Sequence, residues 1–144
     1  MDDPWQSFLG PLPPAAQLLG RRLLDFDSES GVASLAFHAG PEFTNRHGTI
    51  QGGFLAAMLD SAAGAAALAS LPPGLTAVTL RLDTSFLKPA PVGPLNATAR
   101  IVAKDDRDVM VEAALTSPTG ETVARATVQL RVRKRQPDPA QATG

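Results

Sequence analysis

The chain has 144 residues, 44% of them hydrophobic and 19% charged, which suits one compact domain with a sizeable core. With 13 basic and 14 acidic residues the formal net charge is -1, which leaves no electrostatic footprint for nucleic acid. The absence of cysteine excludes disulfides, thiolate metal sites and a cysteine nucleophile, and His38 and His47 alone are too few for a multi-histidine centre. No metal and no separate cofactor are expected, so chemistry falls to carboxylates, amides, hydroxyls and backbone groups.

Residues 1–20 are proline-rich, with Trp5, Phe8 and Leu9 placed to dock as a short apolar helix at the periphery. Met1 to Pro4 is acidic rather than basic, unlike an export signal, so a cytoplasmic location is expected. The domain proper spans 21–135. It opens with a hairpin, Arg22 to Asp27 and Val32 to His38, turning at Glu29-Ser30-Gly31. Gly53 to Leu71 follows, with eight alanines among Phe54, Leu55, Met58, Leu59 and Leu68, a strong helix former whose apolar residues surround it. That pattern marks a helix buried on most sides, ended by Pro72. Pro72-Pro73-Gly74 also interrupts the uncharged run Ser61 to Leu80, leaving pieces too short for a membrane span of ~30 Å, so no membrane partner is expected.

Leu75 to Lys88 alternates with Val78, Leu80, Leu82 and Thr84 on one predicted face and stops at Pro89. Leu95 to Lys104 and Val109 to Ser117 form the next pair through the polar turn Asp105-Asp106-Arg107-Asp108. Pro118-Thr119-Gly120 turns into a last strand, Thr122 to Arg133. Residues 136–144 read as a tail. Strands, one buried helix and a run of hairpin-linked strands predict an α+β fold, an antiparallel sheet wrapped round a central helix.

Asp60 is the only formally charged residue from Gly48 through Leu80, in the middle of the most apolar helix. A carboxylate there requires an exposed stripe, a hydrogen-bonding partner at a subunit contact, or a chemical role. Asn45-Arg46-His47-Gly48-Thr49-Ile50-Gln51-Gly52-Gly53 leads into the helix, and its glycine pair lets another group approach the unpartnered N–H groups of the first turn. Aimed at a carbonyl oxygen, such groups form an oxyanion-hole type of site. Gly52 and Asp60 are separated by about 12 Å of helix axis, too far to act on one carbonyl within a chain. If they serve one site, two helices must run antiparallel across a two-fold axis, giving a homodimer with composite sites.

These residues resemble the hotdog-fold acyl-CoA thioesterases of the PaaI-like branch. The family pattern is an asparagine, a Gly-x-x-His-Gly-Gly stretch and an aspartate inside the central helix. Here it reads Asn45, then Gly48-Thr49-Ile50-Gln51-Gly52-Gly53, then Asp60. The resemblance covers about 20–134 and continues through Thr76 to Asp83 and Phe86-Leu87-Lys88-Pro89-Ala90. It implies hydrolysis of a small aromatic or medium-chain acyl-CoA to free acid and coenzyme A, the coenzyme entering only as part of the substrate. It implies Asp60 as general base or nucleophile and Gly52 N–H polarising the thioester carbonyl. Asn45 would hold that carbonyl or position water, and Thr79 would orient the water. Gln51, Gly53, His47 and Arg46 are expected beside the substrate, in a homodimer or homotetramer. The sequence departs from the pattern at Gln51, where many relatives carry histidine; glutamine hydrogen-bonds but does not titrate. The competing reading is a hotdog protein that binds acyl-CoA without turnover. Arg131, Arg133, Lys134 and Arg135, with Arg46 or Lys88, are candidates for the coenzyme A phosphates or simply a solvated strand end.

Overall fold

A computed structural model describes residues 9–136; the predicted docking of Trp5 and Phe8 and most of the tail lie outside these. A short helix α1, Pro14–Leu18, precedes strands β1, Arg22–Asp27, and β2, Val32–Ala39. The long helix α2 spans Gly52–Ser70, and four strands follow: β3, Leu75–Phe86; β4, Gly93–Lys104; β5, Asp108–Thr116; and β6, Thr122–Lys134. All pairings are antiparallel, and the six strands lie in the order β1-β2-β4-β5-β6-β3. Gly31 takes a φ of 70° at the β1–β2 turn and donates its N–H to Asp27 O at 2.8 Å. Any other residue is strained in that conformation.

The sheet touches α2 with every one of its strands, which makes α2 the axis of the core. Leu55, Met58, Leu59, Ala62, Ala63, Ala65, Ala66 and Ala67 share one buried core with Leu35, Leu95, Val111, Leu115, Val128 and Leu130. Short alanine side chains let strands approach the helix from several sides, so burial here follows from closeness rather than from an amphipathic stripe. The length and apolarity of α2 would suit a membrane span, yet half of its apolar window is covered by this sheet. Along one side it stays open: Gly53 and Ala57 are exposed, and Asp60, Ser61, Gly64 and Leu68 are half-buried. At 100° per residue these positions share one side of the helix.

That open side borders β3, an edge strand of 12 residues with Val78 and Leu80 exposed at 44% and 47%. The single inward face expected from Val78, Leu80, Leu82 and Thr84 is therefore not what forms. Thr79 pairs with Leu130 and Arg81 with Gln129, so Leu80 is an extra residue bulged out of the β3–β6 ladder. The residues opposite buried β6 positions are Thr79 before the bulge and Leu82, Thr84 and Phe86 after it. A bulge switches the side a strand presents, and sequence alternation alone carries no trace of that.

Candidate active site

The approach to α2 is a tight loop held from within. Thr44 bridges Ile50, Asn45 N–H donates to Thr49 O at 2.8 Å, and Gly48 makes the reversal with a φ of 78°. Asn45 Oδ1 accepts from His47 N–H at 2.9 Å and from Thr49 N–H at 3.3 Å, while its Nδ2 reaches Thr49 Oγ1 at 3.2 Å. These bonds fix the amide and leave a second Nδ2 hydrogen to donate. Ile50 N–H goes to Ala90 O and Gln51 N–H to Phe43 O, both at 2.9 Å. Phe43 stacks on Phe54 with ring centroids 4.2 Å apart, clamping the loop onto the first helical turn.

Gln51 stands at the N-cap without a side-chain capping bond. The N–H groups of Gly52 and Gly53 have no backbone partner among the described residues and lie at the positive end of the helix dipole. Gly52 is not in a positive-φ conformation, so a side chain there is limited by space rather than by backbone strain. A Cβ there would stand 3.2 Å from two ring carbons of Phe86. The helix start, Asn45, Thr49, Leu55, Phe86 and Lys88 line a cavity of about 370 Å³.

Asp60 lies two turns further along, on the open side of α2. Its Oδ1 accepts a hydrogen bond from Thr79 Oγ1 at 2.6 Å. Thr79 reaches it because it precedes the bulge at Leu80, on the side of β3 that faces the helix. Beside the pair, Ser61 Oγ accepts from the Arg21 guanidinium at 3.1 Å. Thr84 Oγ1, on the same inward face, is buried without a hydrogen-bond partner among the described residues.

Within one chain the predicted residues thus form two groups. Asp60 meets Thr79; Asn45 and Gly52 meet at the cavity; neither group touches the other. Gly53 lies exposed on the open side of α2, and Arg46, His47 and Gln51 are exposed on the loop outside the cavity lining. Sequence reasoning gave no site role to Phe86 or Leu55. Leu55 follows the glycine pair at helical spacing, a signal that was present; the contact of Phe86 with Gly52 is long-range and has no local signature.

The basic residues divide as well. Arg131 is committed to Asp108, its Nε 2.7 Å from the carboxylate, which holds the Asp108 carboxyl below its ordinary range. Arg131 is therefore a strand-end ion pair rather than a free phosphate ligand. Asp105 is likewise lowered, by the N–H groups of Asp108 and Arg107 that close the predicted turn. Lys88 sits 3.1 Å from Glu121 with both side chains more than half exposed, and Arg133, Lys134 and Arg135 are exposed. A separate hollow of about 680 Å³ lies on the outer face of the sheet between Asp83, Arg100, Glu112 and Arg125, away from both groups.

Residues 47–124, more than half of the chain, match a family described as the thioesterase superfamily. The chain belongs to the thioesterase superfamily. A Saccharolobus solfataricus protein assigned as an esterase is 30% identical over 98 residues, 68% of this chain and 69% of that protein. A solved structure from Ralstonia eutropha JMP134, assigned as a thioesterase related to phenylacetic acid degradation, is 32% identical. Its TM-score is 0.84, covering 90% of this chain and 99% of that one. A Streptococcus mutans protein solved with acetyl-CoA shares the fold at 22% identity and a TM-score of 0.70, over 80% of this chain and 90% of that one. This superfamily member is a thioester hydrolase with the hotdog fold, a six-stranded antiparallel sheet around one long helix.

Proposed function

We propose that this thioesterase hydrolyses small aromatic or medium-chain acyl-CoA in the cytoplasm, as a homodimer with two composite sites. The observation that carries the proposal is the 2.6 Å hydrogen bond from Thr79 to Asp60 on the one open side of a buried helix. Among the described residues no salt bridge to Asp60 is formed, and the carboxylate faces a strand edge that a second chain would cover. The relatives from R. eutropha and S. mutans support the substrate class by what they are named for and bound to.

The internal distances support the pairing. In one chain Asp60 stands opposite Thr79, and Gly52 opposite Phe86. A two-fold partner whose Asp60 stands at this Gly52 brings its Thr79 to this Phe86. The two β3 edges then run antiparallel with their midpoint near Leu82 and Asp83, and each satisfies the other's unpaired backbone groups. Exposed Val78 and Leu80 become interface, and whether two dimers then join as a tetramer is a matter for their outer sheet faces.

In this arrangement the thioester carbonyl oxygen accepts hydrogen bonds from Gly52 N–H and Asn45 Nδ2. Asp60 of the partner subunit takes a proton from a water that its Thr79 orients. The water oxygen bonds to the carbonyl carbon, the tetrahedral oxyanion collapses, the C–S bond breaks, and the thiolate leaves and is protonated. General-base assistance of this kind is worth ~10²–10⁴-fold, and a carbonyl-polarising donor on the order of 10² or more. Lys88 lines the cavity, and its exposed pair with Glu121 leaves it able to turn to the coenzyme's phosphates.

The test is thiol release from phenylacetyl-, benzoyl- and hexanoyl-CoA by wild type and Asp60→Asn. Release that depends on Asp60 supports the reading. Binding without release by wild type supports instead an acyl-CoA-binding protein, the reading that the non-titrating Gln51 favours. Mixing Asp60→Asn with Gly52→Val should restore about a quarter of wild-type turnover, since half the dimers are hybrids with one intact site of two. Single-turnover hydrolysis in ¹⁸O water tests the role of Asp60: label in its carboxylate marks a nucleophile whose anhydride is opened at the aspartyl carbon.

A further inference from the structure

We propose that Phe86 selects the acyl group. The inference rests on the hydrolase reading above and names the side chain that decides which substrates the site prefers.

Phe86 is the last residue of β3, and the residue is 54% exposed although it is aromatic and its ring lies against the helix start. Two ring carbons lie 3.2 Å, and a third 3.6 Å, from the point where a Gly52 side chain would begin. The ring therefore lies over the helix start and forms one wall of the cavity that Gly52, Asn45 and Leu55 also line. A thioester carbonyl directed at Gly52 N–H must place the atoms next to its carbon against this ring or displace it.

The backbone beneath the ring is fixed. Phe86 pairs with Ala124, and Leu87 and Lys88 N–H both donate to Val123 O, at 2.8 and 3.2 Å. The ring can turn about its side-chain torsions, but its Cα stays in place, and small Ala124 opposite leaves it room to turn. An apolar wall of fixed position and adjustable tilt discriminates by shape, stacking on flat acyl groups and limiting long ones. The three heavy atoms nearest to where a Gly52 side chain would begin all belong to this ring. The contact is also what Gly52 is reserved for: the two residues form one unit, separate from the Asp60–Thr79 pair that would supply the chemistry.

The experiment compares kcat/KM across acetyl-, hexanoyl-, decanoyl- and phenylacetyl-CoA for wild type, Phe86→Leu and Phe86→Ala. Size-exclusion chromatography checks the assembly of each variant. Phe86→Leu keeps apolar bulk and removes the ring face, so the phenylacetyl-to-hexanoyl ratio should fall about 3- to 10-fold. Phe86→Ala opens the wall, so the decanoyl-to-hexanoyl ratio should rise on the order of tenfold. Dissociation constants for the hydrolysis-inert thioethers S-hexyl- and S-phenethyl-CoA should shift in the same sense in Phe86→Leu. Ratios unchanged in Phe86→Leu, or all substrates reduced by one common factor, would overturn the proposal and leave the ring as packing for the helix start. Thioether selectivity that shifts in a protein without turnover would sustain the proposal while refuting hydrolysis. Wild type that binds neither thioether would remove the acyl site and the proposal together.

Discussion

Replacing Thr79 by valine removes one hydroxyl and keeps the β-branched shape that a strand prefers. The lost contact is the 2.6 Å hydrogen bond to Asp60 Oδ1, a neutral donor on a charged acceptor. Bonds of this kind are worth ~1.5–3 kcal/mol where water is excluded, or about 10- to 150-fold in rate when they act in the transition state. Thr79→Val should therefore lower kcat by 10- to 150-fold on that scale, with a smaller change in KM, in a steady-state thiol-release assay. Thr79→Ser, which restores the donor, should recover most of the loss. The residues act as a unit, so Asp60→Asn with Thr79→Val should be little slower than Asp60→Asn alone. The reasoning fails if Thr79→Val stays within about threefold of wild type, or if the double variant loses the full product of both single effects.

Other outcomes follow from single contacts. Gly52→Ala pushes on a half-exposed ring, so it should change thermal stability little alone. With Phe86→Leu it should show a coupling of about 0.5 kcal/mol or more in a denaturation cycle; strict additivity would dismiss the contact. Thr84→Val should stabilise by roughly 1 kcal/mol, because a buried hydroxyl without a partner among the described residues is replaced by a methyl of similar shape. A fall in Tm would point to an unseen partner. Because Asp108 is held below its unfolded value by Arg131, its contribution is present near neutral pH and lost as pH falls through the folded value. The Tm gap between wild type and Arg131→Gln should therefore be larger at pH 7 than at a pH well below the ordinary carboxylate value of about 3.9, and an equal gap at both would refute the assignment.

Much of this molecule is legible in one dimension. Alanine density announces α2, Pro72 its end and Gly31 the first turn, because each is a local property of the backbone. Asp60 is legible by contrast, as one charge in a long uncharged stretch. The spacing from Gly52 to Asp60 anticipates that one chain keeps them apart, and the structure does so. What escapes is everything set by pairing. Val78 and Leu80 alternate with Leu82 as though inward, yet they lie exposed, since the ladder with β6 slips at Leu80. That β3 is an edge depends on where the chain returns after α2. Asn45 is readable as a polar residue near the helix start, but its internal bonding to Thr49 and His47 is visible only once the loop closes.

The extra residue in β3 carries a consequence for sequence comparison and for engineering. Thr79 and Phe86 are seven positions apart, an odd interval that would send them to opposite sides of a regular strand. Leu80 converts that odd interval into an even one. Deletion of this residue is thus a harsher lesion than any substitution nearby: it would keep every functional side chain and turn half of them outward. The same arithmetic offers a screen for homologous chains. A relative with an intact aspartate and hydroxyl, but one residue fewer between hydroxyl and aromatic, needs no bulge; one with the odd interval must carry one. Counting residues between two landmarks then tells where a ladder must slip before any coordinates exist.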